Sequence, residues 1–213
     1  MKINELTRNY VGKDAGGGPK RKSSYKNELP IVIGEYTVFY KKPNGKNGSI
    51  HIGVFNEQKG IAEMWLDPYQ FNGIRVYQVT WAGLDPQYSG QGIGYQLYLG
   101  LITILGINIV QTTSHSVGAR KTWLRLVKEP KIVAFGFDQE NGILFHVEPN
   151  KAKTELKSAK RGIKLYDNND TGMVLVKKNS RDAKYLEGLV AATLHKRGYS
   201  EPDIFGVKKF NDI

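Results

Sequence analysis

The sequence predicts an α/β (α+β) fold, and three observations carry that prediction. Up to residue 84 the chain is built from β-branched and aromatic runs separated by Gly, Asn and Pro turns. Residues 92–105 then place Ile93, Leu97, Gly100, Leu101 and Ile104 at helical spacing, with an apolar strand-like run on either side. A further helix–strand–strand pattern follows to residue 147, and a third helical pattern lies near the C-terminal end. With 213 residues, 40% of them hydrophobic, the chain can bury a core in one domain plus attachments.

Each element follows from local chemistry. Residues 31–40 (IVIGEYTVFY) and 49–55 (SIHIGVF) read as strands of a hairpin around the polar loop Lys41 to Gly48. Residues 60–66 form a short strand, and 73–82 a longer one that enters a Gly-rich turn. The helix over 92–105 is stopped by Gly106, and Ile107 to Thr113 is a strand. Ser116 is placed to cap a helix over 117–128, which ends before Pro130. Lys131 to Phe137 and Ile143 to Val147 pair around Asn141-Gly142. Beyond them lie a charged segment, a hairpin of 162–166 with 173–177, and a helix from about Arg181 to Lys196. Three segments result: a basic Gly/Lys/Ser-rich arm (1–29), a central domain (30–148) and a C-terminal extension (149–213) of hairpin plus helix.

The net charge is +11 and sits on the ends. Residues 1–28 hold seven Lys/Arg against three acids and 151–213 hold fourteen against eight, which leaves ten against nine between them. The run Lys20-Arg21-Lys22 after Gly16-Gly17-Gly18-Pro19 reads either as a solubilising tail or as an arm for an acidic protein or nucleic acid. Cysteine is absent, which excludes disulfides, thiolate nucleophiles and Cys-based zinc sites. No set of His, Asp and Glu has metal-ligand spacing, so no metal is expected. Residues 86–119 lack Asp, Glu, Lys and Arg, but Gly100, Gly106 and Asn108 break the apolar run well short of the ~20 residues of a membrane span. With no apolar leader in Met1 to Glu28, the expectation is a soluble, cytoplasmic protein with no membrane partner.

The stretch LDPQYSGQGIGYQL (Leu84 to Leu97) is the most informative in the chain. A strand runs into Gly90, Gly92 and Gly94 and opens onto a helix, whose first N–H groups and partial positive charge suit a phosphate. Gly92 and Gly94 at a helix start each cost about 1 kcal/mol relative to Ala, a cost that close backbone approach by a ligand would explain. An ordinary Gly-rich strand-to-helix turn has the same spacing.

The order strands, Gly-rich turn, helix, strand, helix, strand resembles the GNAT superfamily of acyl-CoA N-acyltransferases. Pro86-Gln87-Tyr88-Ser89-Gly90-Gln91-Gly92-Ile93-Gly94 is similar to that family's Pro, aromatic, Arg/Gln-Gly-x-Gly-x-Gly/Ala pattern. Ser116-Val117-Gly118-Ala119-Arg120-Lys121-Thr122-Trp123 resembles its second motif, Asn-x-x-Ala-x-x-x-Tyr. The resemblance covers about residues 31–147, and the second motif's variant also looks like GNAT-like proteins encoded by bacteriophages. It implies a mixed, mostly antiparallel sheet flanked by helices, located in a host cytoplasm or virion if phage-encoded. It further implies that acetyl-CoA (coenzyme A) is held at Ser89, Gly90, Gln91, Gly92, Ile93 and Gly94 through its diphosphate, at Gly83 and Leu84 along the pantetheine, and near Ser116. An unidentified amine would attack the thioester directly.

The chain departs from the family pattern at several positions. Ser89 replaces the Arg/Gln, with Gln87 or Gln91 as substitutes. Ser116 replaces Asn, and Trp123 replaces the Tyr that often serves as acid. The strand over 73–84 lacks the usual Glu, and Asp85 is the nearest carboxylate. No residue is therefore assigned a catalytic role. His115 is a candidate base or part of a capping cluster, and His51 belongs on the solvent face of a strand. His146 and His195 have no partner in sequence. Tyr88 is placed beside the cofactor or packs the turn, and Trp65, Trp81 and Trp123 read as core or groove lining. Three classes remain open: an acetyl-CoA-dependent N-acetyltransferase, a catalytically inactive GNAT-fold structural or interaction protein docked through its basic ends, and a nucleic-acid binder using residues 1–28 and 151–213.

Overall fold

The computed structural model describes residues 22–25, 27–41, 48–111, 117–138, 143–148 and 171–196. In chain order the strands are β1 (Asn27–Ile33), β2 (Tyr36–Lys41), β3 (Ile50–Asn56), β4 (Lys59–Phe71), β5 (Ile74–Leu84), β6 (Ile109–Val110), β7 (Ile132–Asp138), β8 (Ile143–His146) and β9 (Thr171–Lys177). The helices are α1 (Ile93–Thr103) between β5 and β6, α2 (Val117–Leu126) between β6 and β7, and α3 (Arg181–Lys196) after β9. Eight of these strands pair antiparallel somewhere, whereas β5 and β6 pair parallel, which their connection through a helix requires. The expected mixed, mostly antiparallel sheet with helices is present.

The chain divides into two compact units, Met1–Pro68 with Val79–Gly100, and Tyr69–Gln78 with Leu101–Ile213. In the first unit the strands follow the order β1-β2-β3-β4-β5. Alternation puts Val38, Val54, Ile52, Met64 and Leu66 on a buried face, with Val38 opposite Val54 and Ile52 opposite Met64. Ile93 and Leu97 of α1 are also buried, at the helical spacing read from the sequence. Gly100 has a packing role: a Cβ there would lie 2.5 Å from Ile31 Cγ2, so its absence lets α1 close onto β1. On the same unit the Tyr25 hydroxyl donates to the Glu63 carboxylate, and its ring meets Phe55 edge-on at 5.3 Å. Burial, with the Glu63 bond and charge, pushes the Tyr25 phenol well above its usual range.

In the second unit the order is β5-β6-β9-β7-β8. Phe71, Val76, Val110, Phe135, Phe137, Val174 and Val176 form its core with Ala183, Leu186 and Val190 of α3. A buried polar clamp holds the entry to β6. Asn108 Nδ2 donates to the Arg75 carbonyl at 3.0 Å and to Asp182 Oδ2 at 2.6 Å, and its own carbonyl accepts Tyr77 N–H at 2.8 Å. Ser180 Oγ accepts Ala183 N–H at 3.1 Å and so caps α3.

Three expectations need correction. The run 31–40 is two strands, because Gly34 (φ +56°) turns the chain between Ile33 and Tyr36. The strand over 60–66 continues to Phe71 through Asp67-Pro68 and meets β5 at Asn72-Gly73, whose φ values of 46° and 80° fit a tight two-residue hairpin. The strand over 173–177 pairs with β6 and β7, and residues 162–166 lie outside the described residues. β9 comes from the segment assigned above to the C-terminal extension, and it lies between β6 and β7. The α3 range agrees with the periodicity. No described helix is long and apolar enough to cross a membrane.

Candidate functional site

The site is built at the end of β5, where Asp85 sets the direction of the turn. Its N–H donates to the Ile61 carbonyl at 2.8 Å, tying it to β4. Its carboxylate accepts Gln87 N–H at 3.2 Å and Gln87 Nε2 at 2.9 Å, capping a single 3-10 turn over Pro86–Tyr88. Lys59 Nζ stands 3.3 Å away. Desolvation raises the Asp85 pKa, but the Gln87 bonds and the Lys59 ammonium outweigh it and hold the carboxyl below its ordinary value. Asp85 is thus an ionised turn anchor and a weak proton acceptor at neutral pH. Gln87, one of the two substitutes for the missing Arg/Gln, spends its amide on that anchor.

The three glycines then separate by role. Gly90 (φ +81°) and Gly92 (φ +77°) adopt left-handed backbone that the turn demands. Gly94 has ordinary helical backbone, and a Cβ built on it would meet nothing within 4 Å. Neither conformation nor packing calls for glycine at 94. The first intrahelical bond of α1 runs from Gln96 N–H to the Gly92 carbonyl at 2.9 Å, so the amides of Ile93 and Gly94 precede it. Gly92 at the cap position carries no side-chain oxygen to satisfy them. The result is a helix start with no capping side chain from residue 92, the arrangement that accepts a phosphate group. The amides of Ile93 and Gly94 suit the diphosphate of the implied cofactor, whereas Ser89 N–H donates to the Pro86 carbonyl at 3.0 Å and Gln91 N–H to the Tyr88 carbonyl at 3.4 Å, so those two are spent within the turn.

Beside the turn lies a cavity of about 300 Å³ lined by Ile33, Gly34, Glu35, Tyr36, Gln91, Ile93 and Gln96. The Tyr36 hydroxyl donates to Gln91 Oε1 at 3.2 Å, which leaves the Gln91 amide nitrogen to act as a donor elsewhere. Tyr36 meets the Tyr88 ring edge-on at 5.9 Å, and Lys59 Nζ stands 5.4 Å from the Tyr88 centroid. Tyr88 packs the turn. No sequence signal singles out Glu35, Tyr36 or Gln96 as site residues, because 31–40 reads as one continuous strand, which hides the turn that brings Glu35 and Tyr36 here.

Gly83 has a packing role of its own. A Cβ at this position would lie 2.3 Å from Trp81 Cη2, so the glycine makes room for the indole of its neighbour two residues back. Trp81 in turn packs on Trp65 (centroids 5.5 Å apart), and Trp65 stacks on His51 (4.8 Å, 11° between planes). His51 is half-buried against that ring, not simply solvent-facing. The rings occupy one another's faces, which argues against this row as a platform for nucleic-acid bases. Leu84 is half-buried at the end of β5. The β5–β6 ladder consists of Tyr77 with Ile109 and Gln78 with Val110, so Gly83 and Leu84 lie beyond its end.

Trp123 is 1% exposed, a core residue of α2. It therefore cannot supply a proton in the way the family's Tyr would. Ser116, His115 and the polar loop from Lys42 to Asn47 lie outside the described residues. His146 is half-buried edge-on to Phe135 at 5.7 Å, and burial is the main influence lowering its pKa. The described residues contain no cluster of three or more His, Asp or Glu able to hold a metal ion.

No family model matches the chain, and no curated protein does. Among solved structures it is similar to a putative acetyltransferase of the GNAT family from Bacteroides thetaiotaomicron. That match has 12% identity and a TM-score of 0.33, over 93% of this chain and 96% of the other. It is also similar to a structure described as a GCN5-related glucosamine N-acetyltransferase region of a fungal multi-domain β-N-acetylglucosaminidase. There the identity is 13% and the TM-score 0.29, over 71% of this chain and 29% of the other.

Proposed function

We propose that this protein is an acetyl-CoA-dependent N-acetyltransferase acting on an amine, with the donor held at the turn before α1. The observation that carries the reading is Gly94: a helical glycine with open space where its Cβ would be, beside amides that precede the first helical bond. Backbone N–H groups of Gly90, Gly92, Ile93 and Gly94 would hold the diphosphate, and the Gln91 side-chain nitrogen is the side-chain donor best placed to join them. The helix start adds positive potential to the same turn, while the Lys59 charge is answered by Asp85.

When bound, the coenzyme supplies an acyl thioester, and the amine of the acceptor is the nucleophile. The chain's part is to fix the donor and exclude alternative poses, since positioning alone supplies a large share of rate in a two-substrate transfer. Asp85 stays ionised and anchors the turn, and Trp123 is buried core. Proton removal from the amine is not assigned to either.

Those last two observations also favour a second reading, a GNAT-like protein that binds the coenzyme without turning it over. One experiment separates the two. Titration calorimetry with acetyl-CoA, using Gly92→Glu as control, reads binding. Thiol release with a panel of small amines and peptide amines reads transfer. Binding at micromolar affinity, lost in the variant and accompanied by thiol release, is the expected result. Binding without release for any amine would establish the second reading, and no binding by the wild-type chain would refute both.

A further inference from the structure

The second unit carries a cationic surface that the acyltransferase reading does not use. Four separate segments meet at one end of it. Lys128 follows α2, and Lys131 precedes β7 and accepts Lys178 N–H on its carbonyl at 2.9 Å. Lys177 ends β9 opposite Ile132, and Ser180 N–H donates back to the Lys177 carbonyl at 3.2 Å. Arg181 and Lys184 then stand on the first turn of α3. All six cations are exposed, and none has an ion pair among the described residues. Gathering like charges costs stability unless something negative answers them.

None of the nearby acids forms an ion pair with them among the described residues: the carboxylate of Asp182 accepts the Asn108 amide, Glu187 and Glu148 act on His146, and Glu129 stands half-buried between Lys128 and Lys131. The outward crest of α3 runs Arg181, Lys184, Tyr185, Gly188, Ala191, Ala192, with the exposed Glu187 on its flank. Two features of that crest point outward. Tyr185 is 42% exposed although it is a large aromatic, and its hydroxyl lies near Gly73, so the ring is held rather than loose. Gly188 sits in the middle of the helix, where a Cβ would meet nothing within 4 Å, so neither packing nor backbone angle explains a glycine. A helix that keeps a glycine on its exposed crest lets another backbone come close.

We propose that the α3 crest, with Lys131, Lys177 and Lys178 at its N-terminal end, binds the phosphodiester backbone of nucleic acid. Phosphate rows match a strip of separate point charges, and small residues between them admit the sugar–phosphate chain. Tyr185 offers one ring to an unstacked base, which single strands present and duplexes do not. A membrane surface fits less well, because the crest has no large aliphatic side chain to insert.

The test is fluorescence anisotropy of the full chain with labelled DNA of about 30 nucleotides, single-stranded and duplex, at about 50 and 200 mM salt. Binding should weaken steeply with salt. The triple variant Lys178→Glu/Arg181→Glu/Lys184→Glu should weaken it by at least about tenfold and lower the salt slope by roughly two to three. Gly188→Glu, which suits a helix, should weaken DNA binding while leaving the melting temperature unchanged or higher. Tyr185→Leu should weaken single-strand binding more than duplex binding. A Lys20→Gln/Arg21→Gln variant serves as the comparison. The proposal is overturned if wild-type binding is absent at the lower salt, if the triple and Gly188 variants bind normally, or if only the Lys20/Arg21 variant loses affinity. Preferential capture by phosphatidylserine vesicles, unaccompanied by DNA binding, would overturn it as well.

Discussion

Replacing Gly94 by Glu should make the protein more stable and less able to bind acetyl-CoA, and the two effects have separate origins. Gly94 is helical and its missing Cβ faces open space, so a side chain there meets no clash. Moving from Gly to Glu in a helix is worth about 0.6 kcal/mol, and an acid in the first turn gains about 0.3–1 kcal/mol from the helix dipole. The sum is about 1 kcal/mol, or about 3 °C in Tm for a chain of this size. Against a bound diphosphate the same carboxylate is repulsive. At about 5 Å and an effective dielectric between about 20 and 80, each charge pair costs about 1–3 kcal/mol, so two phosphate charges reduce affinity at least tenfold or so. Differential scanning calorimetry and acetyl-CoA titration measure the two halves. Gly94→Ala should keep the helix-propensity gain and weaken acetyl-CoA binding, though less than Gly94→Glu does, while Gly92→Ala, at φ +77°, should lose about 1 kcal/mol or more of stability. If Gly94→Glu binds acetyl-CoA normally, the turn is not the diphosphate site. If it lowers Tm, the open space at this position is misjudged.

Two further outcomes concern the second unit. Asn108→Ala removes donors from the Asp182 carboxylate and the Arg75 carbonyl, and should destabilise by about 2–3 kcal/mol in urea unfolding. For His146, the folded-state pKa lies below the ordinary value of about 6.5, so the unfolded chain takes up the proton first as pH falls. Stability carried by the neutral ring is complete above that value and declines as pH drops below it toward the folded-state pKa. His146→Gln should flatten the Tm-versus-pH curve between about pH 7 and 5. An unchanged slope would mean that other groups set it.

The parts of the fold that were legible in sequence are those with one dominant signal. The α3 range follows from Ser180 as a cap and from apolar spacing through Ala183, Leu186 and Val190. The strand–turn–helix at 74–103 follows from glycines with distinct duties. Where two signals compete, the stronger local one misleads. The strand read from the sequence ends at residue 66, yet the β4–β5 hairpin carries it through Asp67-Pro68 to Asn72-Gly73. Gly34 read as a strand residue, although its left-handed backbone divides β1 from β2. The pairing of β9 between β6 and β7 is a long-range choice that no window of sequence encodes. At the candidate site, the backbone donors of the turn were legible because they need only glycines and a helix start. The Tyr36–Gln91 bond was not, because it joins residues 55 positions apart.

The indole lying over Gly83 has a consequence for how this chain can vary. Position 83 can gain a side chain only on a background where residue 81 has already shrunk. A large ring at 81, once established, keeps 83 empty. The two positions behave as one inherited character, and because Trp65 packs on Trp81 and His51 stacks on Trp65, the character extends across three strands. Substitutions at Gly83 and Trp81 would therefore be strongly non-additive, each reading differently according to the state of the other. A survey of natural or selected variants should find them changing together.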